Sequence, residues 1–255
     1  YEHLPYSLDQ DNKPEHKVTL DSFSISKYRV TWGQFNHYRA ILGLSKTASY
    51  NNLKSSDPDY EYLNRSTGDN YPASVDWQDA KDYCQWLGKV SGKKVDLPTE
   101  AQWEYAARSR GQLFIFANNN NVYELHKNFT GDMRPVGSYP PNPLGLYDMM
   151  GNGQDWVNDW YAADYYQHSP EHNPQGPEKG EKKVLRGSIG SSDQENLVIN
   201  RYSHHPGEKI YSPGYGFRCV VNYPETKHST LDLKDSDNRE KPVMSHPDKQ
   251  GGAKS

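Results

Sequence analysis

The stretch that decides the fold is YPASVDWQDAKDYCQWLGKVSGKKVDLPTEAQWEYAAR, residues 71–108. Its first half predicts an amphipathic helix that begins after Asp76, a favourable N-cap residue, and ends at Gly92. The apolar residues that recur at helical spacing are Trp77, Ala80, Cys84 and Leu87. Since these residues share one stripe, Cys84 is expected on the buried face of the helix.

The second half of the stretch predicts another helix, and the same N-terminal signal occurs earlier in the chain. Thr99 is followed three residues later by Gln102, which is the spacing of a capping box. Thr31 and Gln34 repeat this spacing. Both threonines are therefore expected to cap helices.

The rest of the chain predicts little regular structure. Apolar residues alternate in HKVTLDSFSIS, residues 16–26, which predicts a strand with a bulge or a tight turn. Residues 46–70 predict a polar loop, and the chain beyond Arg110 predicts short strands and ordered loops. Residues 223–255 are rich in Lys, Asp, Ser and Pro, and they are expected to form a polar C-terminal tail.

The composition argues against several classes of function. Only 33% of the 255 residues are hydrophobic and the mean hydropathy is -1.05, so the core must draw on the 6 Trp and 20 Tyr. The formal net charge of -4 gives no electrostatic reason to expect a nucleic acid partner. No apolar run approaches the roughly 20 residues that a transmembrane helix needs. We therefore expect a loop-rich domain with no nucleic acid partner and no transmembrane segment.

Five stretches together resemble the formylglycine-generating enzyme family, also called the sulfatase-modifying factor family. They occur in the family's order, and they are PEHKVTLDSFSISKYRVTWGQF, the stretch at residues 71–108, PVGSYPPNPLGLYDMMGNGQDWVNDWY, NPQGPEKGEKKVLRGS and GYGFRCV. The resemblance implies an α+β fold related to C-type lectins, with low regular secondary structure. It implies that residues 1–222 form a single formylglycine-generating-enzyme-like domain.

The chain has two cysteines, Cys84 and Cys219. Taken alone, they are compatible with two buried free thiols or with a bridge. The resemblance implies a structural disulfide between them, because the family joins the cysteine of its YC-x-W helix to that of its GFRC strand. A disulfide indicates an oxidising compartment. We therefore expect an exported protein, periplasmic or extracellular, and leave open whether it is a lipoprotein.

The resemblance also suggests calcium as a cofactor. A first site would use Asn152, backbone carbonyls at and around Gly153, and Asp155, where the family usually has Glu. The alternative is a turn in which the Asn and Asp side chains satisfy backbone amides. A second site would use Asn128 and Asp132, although the acidic loop of the family is shortened here to TGDM.

The copper chemistry of the family is not expected in this chain. In the oxidases of the family, two cysteines shortly after a GGS motif bind copper(I), for which soft thiolates are the preferred ligands. Ser188 ends the corresponding RGS motif, but the two cysteine positions map to Ser191 and Asn196. Neither side chain supplies a thiolate. We therefore expect no copper and no formylglycine-generating oxidase activity.

The favoured hypothesis for function is a non-catalytic protein that binds a protein partner. Such a protein would serve immunity, accessory or lectin-like recognition in the bacterial envelope. Lectin-like folds present loops on a rigid, disulfide-closed body, which suits recognition. Residues 203–215 carry His, Tyr, Lys and Glu, which are suitable contact residues.

The alternative is a copper-independent periplasmic maturation enzyme that acts on a peptide or siderophore, as in the pyoverdine-maturation branch of the family. Its pocket would be lined by Ser188, Trp156, Asp193, Glu195 and Arg201. Asp193 or Glu195 would act as a general base if burial raised its pKa; the plainer interpretation is a solvated polar loop. An enzyme predicts a closed, concave pocket around Ser188 and Trp156 with an acid of perturbed pKa inside it. A binding protein predicts a filled or flattened pocket and an apolar or aromatic patch on the outer loops.

Overall fold

The architecture is a mixture of short helices and short strands joined by long ordered loops. It is given by a computed structural model that describes residues 3–54, 59, 61–128 and 132–223. Apart from Tyr223, the predicted C-terminal tail lies outside the described residues. The helices in the described part are α1 (Trp32–Ile41), α2 (Ala48–Leu53), α3 (Glu61–Arg65), α4 (Trp77–Ser91) and α5 (Glu100–Ala107). The strands there are β1 (Phe23–Ile25), β2 (Val95–Asp96), β3 (Gly153–Trp160), β4 (Lys183–Ser188), β5 (Tyr202–His204), β6 (Tyr215–Gly216) and β7 (Val220–Asn222).

The helix caps that the sequence predicts are present. Thr31 and Thr99 each form a capping box with the glutamine three residues later. Asp76 accepts a hydrogen bond from the backbone N–H of Asp79 at 2.8 Å. Helix α4 ends at Gly92, whose φ of 68° is a left-handed conformation that glycine adopts without steric cost. The predictions for α1, α4 and α5 are therefore confirmed.

Two sheets carry the rest of the fold. One has the strand order β1-β7-β2, and the other has the order β5-β4-β3-β6. In the second sheet β3 is antiparallel to β4 and parallel to β6, with Gly153 opposite Ser188 and Gln154 opposite Tyr215. This register brings the GNGQDW, RGS and GYGF stretches side by side, although they are far apart in sequence.

The disulfide between Cys84 and Cys219 is present, with an S–S distance of 2.01 Å. It ties α4 to the segment just before β7. Two hydrophobic clusters flank β3, because successive side chains of a strand point to opposite faces. Trp156 belongs to the cluster around the disulfide, and Val157 belongs to the cluster around Trp103 on α5.

Two predictions of secondary structure were wrong about the range of residues involved. Only Phe23–Ile25 of residues 16–26 forms a strand. Residues 46–70 contain α2 and α3 rather than a continuous loop. The side chain of Thr47 caps α2, and burial of Leu53 in the core stabilises this short helix more than its polar sequence suggests.

Within residues 3–54, 59, 61–128 and 132–223, no helix combines the length and the apolar character needed to cross a bilayer.

Candidate functional site

The loop that follows β4 is held closed by its own side chains. The Asn196 amide Nδ2 donates to the carbonyls of Gly190 at 3.2 Å and Ser192 at 2.7 Å. The Glu195 carboxylate accepts hydrogen bonds from the Ser192 N–H at 3.0 Å and hydroxyl at 2.7 Å. The Ser188 hydroxyl oxygen accepts from the N–H of Gly190 at 2.9 Å. These polar groups therefore stabilise the loop itself.

The two positions that correspond to the copper pair of the family do not fit copper(I). Ser191 is exposed, and its carbonyl accepts a hydrogen bond from the Tyr123 hydroxyl. Asn196 is only 3% exposed, and its amide ties the loop. Hydroxyl and amide groups are poor ligands for a soft ion. No oxidation step is therefore assigned to the side chains at these two positions.

Glu195 does not have the properties of the predicted general base. The hydrogen bond from the Ser192 hydroxyl, assisted by that from the Ser192 N–H, holds the pKa of Glu195 below its usual value. The general-base hypothesis requires a shift in the opposite direction. Asp193 is exposed, and its carboxylate accepts a hydrogen bond from the N–H of Gln194 at 2.8 Å. This arrangement agrees with the plainer interpretation of a polar loop.

Neither of the two described cavities is lined by any of the five predicted pocket residues. Trp156 is fully buried in the core, where its Nε1 donates to the carbonyl of Val75 at 2.8 Å. Arg201 is buried in another place, beside Glu100, with an Nε–Oε1 distance of 2.7 Å. Ser188 is also buried. Ser188 and Trp156 are thus both shielded from solvent.

The turn predicted to hold calcium is occupied by an arginine side chain. Arg29 Nε donates to Asp155 Oδ1 at 2.8 Å, and Arg29 Nη2 donates to the carbonyl of Gly153 at 2.7 Å. Arg29 Nη1 donates to the carbonyls of Gly151, at 3.1 Å, and Asn152. The oxygen atoms that a calcium ion would need are thus bound to a guanidinium group. The residues present do not fit a calcium ion in this arrangement.

The remaining polar groups of this turn are also engaged. Asp155 Oδ2 accepts hydrogen bonds from Arg218 Nε at 3.0 Å and Trp103 Nε1 at 2.9 Å. Burial raises the pKa of Asp155, but the positive charges of Arg218 and Arg29 outweigh burial and hold the pKa below its usual value. The Asn152 side chain bonds the backbone N–H and carbonyl of Arg134, at 2.8 Å and 3.1 Å.

The described members of the second predicted calcium set, Asn128 and Asp132, have other partners, and residues 129–131 between them lie outside the described residues. The side-chain oxygen of Asn128 accepts from the N–H of Glu124 at 3.0 Å, and its amide donates to the carbonyl of Val122 at 2.8 Å. Asp132 is largely exposed and lies 3.9 Å from the Arg134 guanidinium. In the described part of the chain, no group of three or more His, Cys, Asp and Glu side chains is placed to hold a metal ion.

A cavity of about 450 Å³ opens elsewhere, between residues 4–20, helix α5 and residues 165–174. Apolar and aromatic side chains form its walls, including those of Leu4, Val18, Leu20, Tyr105, Tyr166 and Ile199. Charged side chains also line it, among them Glu100, Glu104, Arg108 and Asp159. Apolar walls with a few convergent polar groups are typical of binding sites.

The charged part of the cavity lining is organised by Glu100 at the start of α5. Glu100 Oε1 accepts hydrogen bonds from Arg186 Nη1 at 3.1 Å, Arg201 Nε at 2.7 Å and the Tyr166 hydroxyl at 3.3 Å. Burial raises the pKa of Glu100, but the charges of Arg201 and Arg186 outweigh it and keep the pKa below its usual value. Glu100 therefore stays ionised at neutral pH.

Asp159 behaves differently although it lies next to Glu100. It is 2% exposed, and its Oδ1 accepts a hydrogen bond from the Glu100 N–H at 2.9 Å. Burial and the negative charge of Glu100 raise the pKa of Asp159 to about 7. A buried carboxyl that titrates near neutral pH in a cavity marks a candidate functional site.

Sequence reasoning missed this cavity. A weak signal was present, because Asp155, Val157 and Asp159 alternate along β3 and share the face covered by α5. That alternation places Asp159 inside the molecule. The partners of Glu100 could not be found this way, since Arg186 and Arg201 are 86 and 101 residues away in the sequence.

Comparisons with known proteins agree with this architecture. The model of the sulfatase-modifying factor enzyme 1-like domain matches residues 3–223. Serine/threonine-protein kinase pkn1 of Chlamydia pneumoniae is 36% identical over 227 residues, which are 84% of this chain and 35% of the relative. The formylglycine-generating enzyme of Streptomyces coelicolor is 36% identical over 187 residues, which are 64% of this chain and 56% of that enzyme.

The structure of PvdO from Pseudomonas aeruginosa superposes with a TM-score of 0.70 and 29% identity, over 85% of this chain and 88% of that chain. The chain spans 35% of the length of the Chlamydia kinase that it resembles. The family match, in contrast, extends over nearly all of the described residues. The chain therefore belongs to the sulfatase-modifying factor enzyme 1-like family.

Proposed function

We propose that this chain is a member of the family that lacks copper oxidase activity and binds a protein or peptide partner. The observation that carries the proposal is the closed loop after β4. The Asn196 amide and the Glu195 carboxylate stabilise that loop, and Trp156 is buried in the hydrophobic core. A domain that has no reactive group in this loop is still able to bind a partner, because function depends on particular sites and not on the fold.

The cavity beside α5 is the proposed binding site for a peptide segment of the partner. Its apolar and aromatic walls suit apolar side chains, and aromatic residues are enriched where proteins recognise one another. Tyr105 is 41% exposed and lies on the cavity wall, so it is available for contact. Asp159 and Arg108 add a carboxyl and a guanidinium group to this wall.

The compartment is part of the same proposal. The bridge between Cys84 and Cys219 is buried in the hydrophobic core, and structural disulfides form and persist in oxidising environments. We accordingly place the protein in the periplasm or outside the cell. The chain resembles 35% of the length of a longer kinase, which supports the idea that this domain also occurs as one part of larger proteins.

A cavity-filling substitution tests the binding proposal. Ala101 lines the cavity, so Ala101→Trp would occupy it, whereas Gln85→Trp adds the same side chain on the exposed face of α4. Both variants and the wild type would be used to retain partners from an envelope extract, read by mass spectrometry. The wild type and Gln85→Trp are expected to retain the same protein in stoichiometric amount. Retention by Ala101→Trp at the same level would contradict the proposal.

A second candidate function is a copper-independent maturation enzyme acting on a peptide or siderophore. The observation that favours it is the protonation behaviour of Asp159, whose pKa of about 7 suits an acid or base. The likeness to PvdO lends it further support. If the wild type but not Asp159→Asn changes the mass of a peptide or siderophore from the same extract, this function replaces the binding proposal.

A further inference from the structure

A guanidinium group lies at a point where backbone carbonyls converge. Gly151, Asn152 and Gly153 have φ values of 76°, 53° and 101°, so three consecutive residues are left-handed. The carbonyl oxygens of all three accept hydrogen bonds from the side chain of Arg29. Such a run of left-handed residues is unusual outside glycine-rich functional turns.

A carboxylate completes this set of oxygen atoms. Asp155 Oδ1 accepts from Arg29 Nε at 2.8 Å, so Nε, Nη1 and Nη2 of the arginine all donate to the turn. Arg29 is 1% exposed and Asp155 is fully buried. Carbonyl and carboxylate oxygens in a tight loop are the ligands that calcium prefers. The turn thus forms a binding site for a cation, and in this chain the cation is the guanidinium group of Arg29.

The sheet is shaped to admit this side chain. A Cβ added at Gly153 on β3 would lie 3.4 Å from Arg29 Nη1, and one at Gly187 on β4 would lie 3.4 Å from Nη2. A Cβ at Gly216 on β6 would lie 3.0 Å from Cδ of Arg29. Only at Gly216 is Arg29 the nearest atom and closer than ordinary contact; at Gly153 and Gly187 the carbonyl oxygens of Gly214, at 3.0 Å, and Gly153, at 3.2 Å, are nearer. The glycines therefore allow the strand backbones to lie close together around Arg29.

We propose that Arg29 takes the place of a calcium ion in the GNGQDW turn and makes the fold of this chain independent of calcium at that site. The guanidinium is always charged, and its planar arrangement of five N–H donors suits several oxygens at once. A calcium ion would have to displace Arg29 and would leave a buried cation without its partners. Arg218 holds the other oxygen of Asp155 at 3.0 Å, which further disfavours a divalent ion there.

Melting curves of the wild type and Arg29→Ala, in millimolar calcium chloride and in EDTA, test the proposal. The wild type is expected to melt within about 1 °C in the two conditions, which is less than the shift a tightly bound ion gives. Arg29→Ala uncovers four oxygens and is expected to melt several degrees higher in calcium than in EDTA. Arg186→Ala removes a buried arginine elsewhere and should show no calcium response.

Terbium luminescence gives a second readout at the same turn. The Trp103 Nε1 lies 2.9 Å from Asp155 Oδ2, so terbium bound at the turn would be sensitised by this indole. Arg29→Ala is expected to gain sensitised emission that the double variant Arg29→Ala, Asp155→Asn lacks. Equal emission from these two variants would overturn the proposal.

Arg29→Lys keeps the test decisive if Arg29→Ala does not fold. Lysine retains the positive charge but concentrates its donors on one atom. This variant is expected to be less stable than the wild type and equally indifferent to calcium. A melting temperature that rises in calcium, in the wild type or in Arg29→Lys, would show that the turn binds the ion and that Arg29 does not replace it.

Discussion

Glu100→Gln is expected to destabilise the domain because it removes the negative charge between two buried arginines. The carboxylate accepts from Arg186 Nη1 at 3.1 Å, from Arg201 Nε at 2.7 Å and from Arg201 Nη2 at 3.2 Å. Glutamine keeps one oxygen acceptor but turns an NH₂ donor toward a guanidinium. Two buried cations would then lose a shared counter-charge.

The size of the expected loss of stability depends on the partners that Arg186 and Arg201 keep in Glu100→Gln. Removing one partner of a buried ion pair costs about 3–5 kcal/mol. Arg186 keeps the Glu104 carboxylate at 2.9 Å, and Arg201 keeps the carbonyl of Asp11 at 2.7 Å, so the lower end applies. A loss of about 3 kcal/mol corresponds to a melting temperature lower by about 6–12 °C for a domain of this size.

Denaturant unfolding of the wild type, Glu100→Gln and a matched control measures this loss. The control is Glu124→Gln, whose carboxylate pairs with Lys127 at 2.8 Å on the surface, where solvent screens the pair and its loss should change stability little. Glu100→Gln should also lower the pKa of Asp159, because the charge of Glu100 is one cause of its value of about 7. A loss of stability no larger than that of the control would refute the reasoning.

Three further predictions concern other parts of the fold. Burial and Glu100 raise the pKa of Asp159 from 3.8 to about 7, so the folded state binds the proton more tightly and stability falls as pH rises from about 4 to 7. Asp159→Asn should remove that fall in a series of unfolding curves; an unchanged pH profile would contradict the assignment. Replacing both Cys84 and Cys219 by serine opens a loop with a sequence separation of 135 and should lower the free energy of unfolding by up to about 5 kcal/mol; a change below about 1 kcal/mol in denaturant curves would contradict it. Asn196→Ala removes two hydrogen bonds to loop carbonyls and should cost about 1–2 kcal/mol, with faster amide exchange confined to that loop, whereas unchanged exchange would show that Asn196 does not hold it.

The parts of the fold that the sequence predicts well depend on local interactions. The capping boxes at Thr31 and Thr99 and the stripe of α4 involve residues at most a few positions apart, so their pattern is visible in the chain. Helices α2 and α3 were missed because their sequences are polar; α2 is anchored by the buried Leu53, and α3 packs on the core only through the partly buried Leu63. The expectation that no copper is bound depends on the family resemblance, which maps the two cysteine positions to Ser191 and Asn196, and it stays a prediction.

The candidate site was harder to predict because its contacts are distant in sequence. Arg29 and Asp155 are 126 residues apart, and Glu100 and Arg201 are 101 apart. A polar residue next to a motif, such as Arg201, can be a pocket residue or the partner of a buried charge, and only the packing of strands and helices decides between these roles. Trp156 likewise turned out to be core because of the face of β3 on which it lies.

The measurement that tests the account most directly is site-specific photo-crosslinking in cells that produce the protein. A photoreactive phenylalanine analogue would replace Tyr105 on the cavity wall, 41% exposed, and in a second variant Tyr211, 63% exposed, in the loop before β6. A discrete adduct with one partner is expected from position 105 and none from position 211. An adduct from position 211 alone would place binding on that loop and contradict the assignment of the cavity.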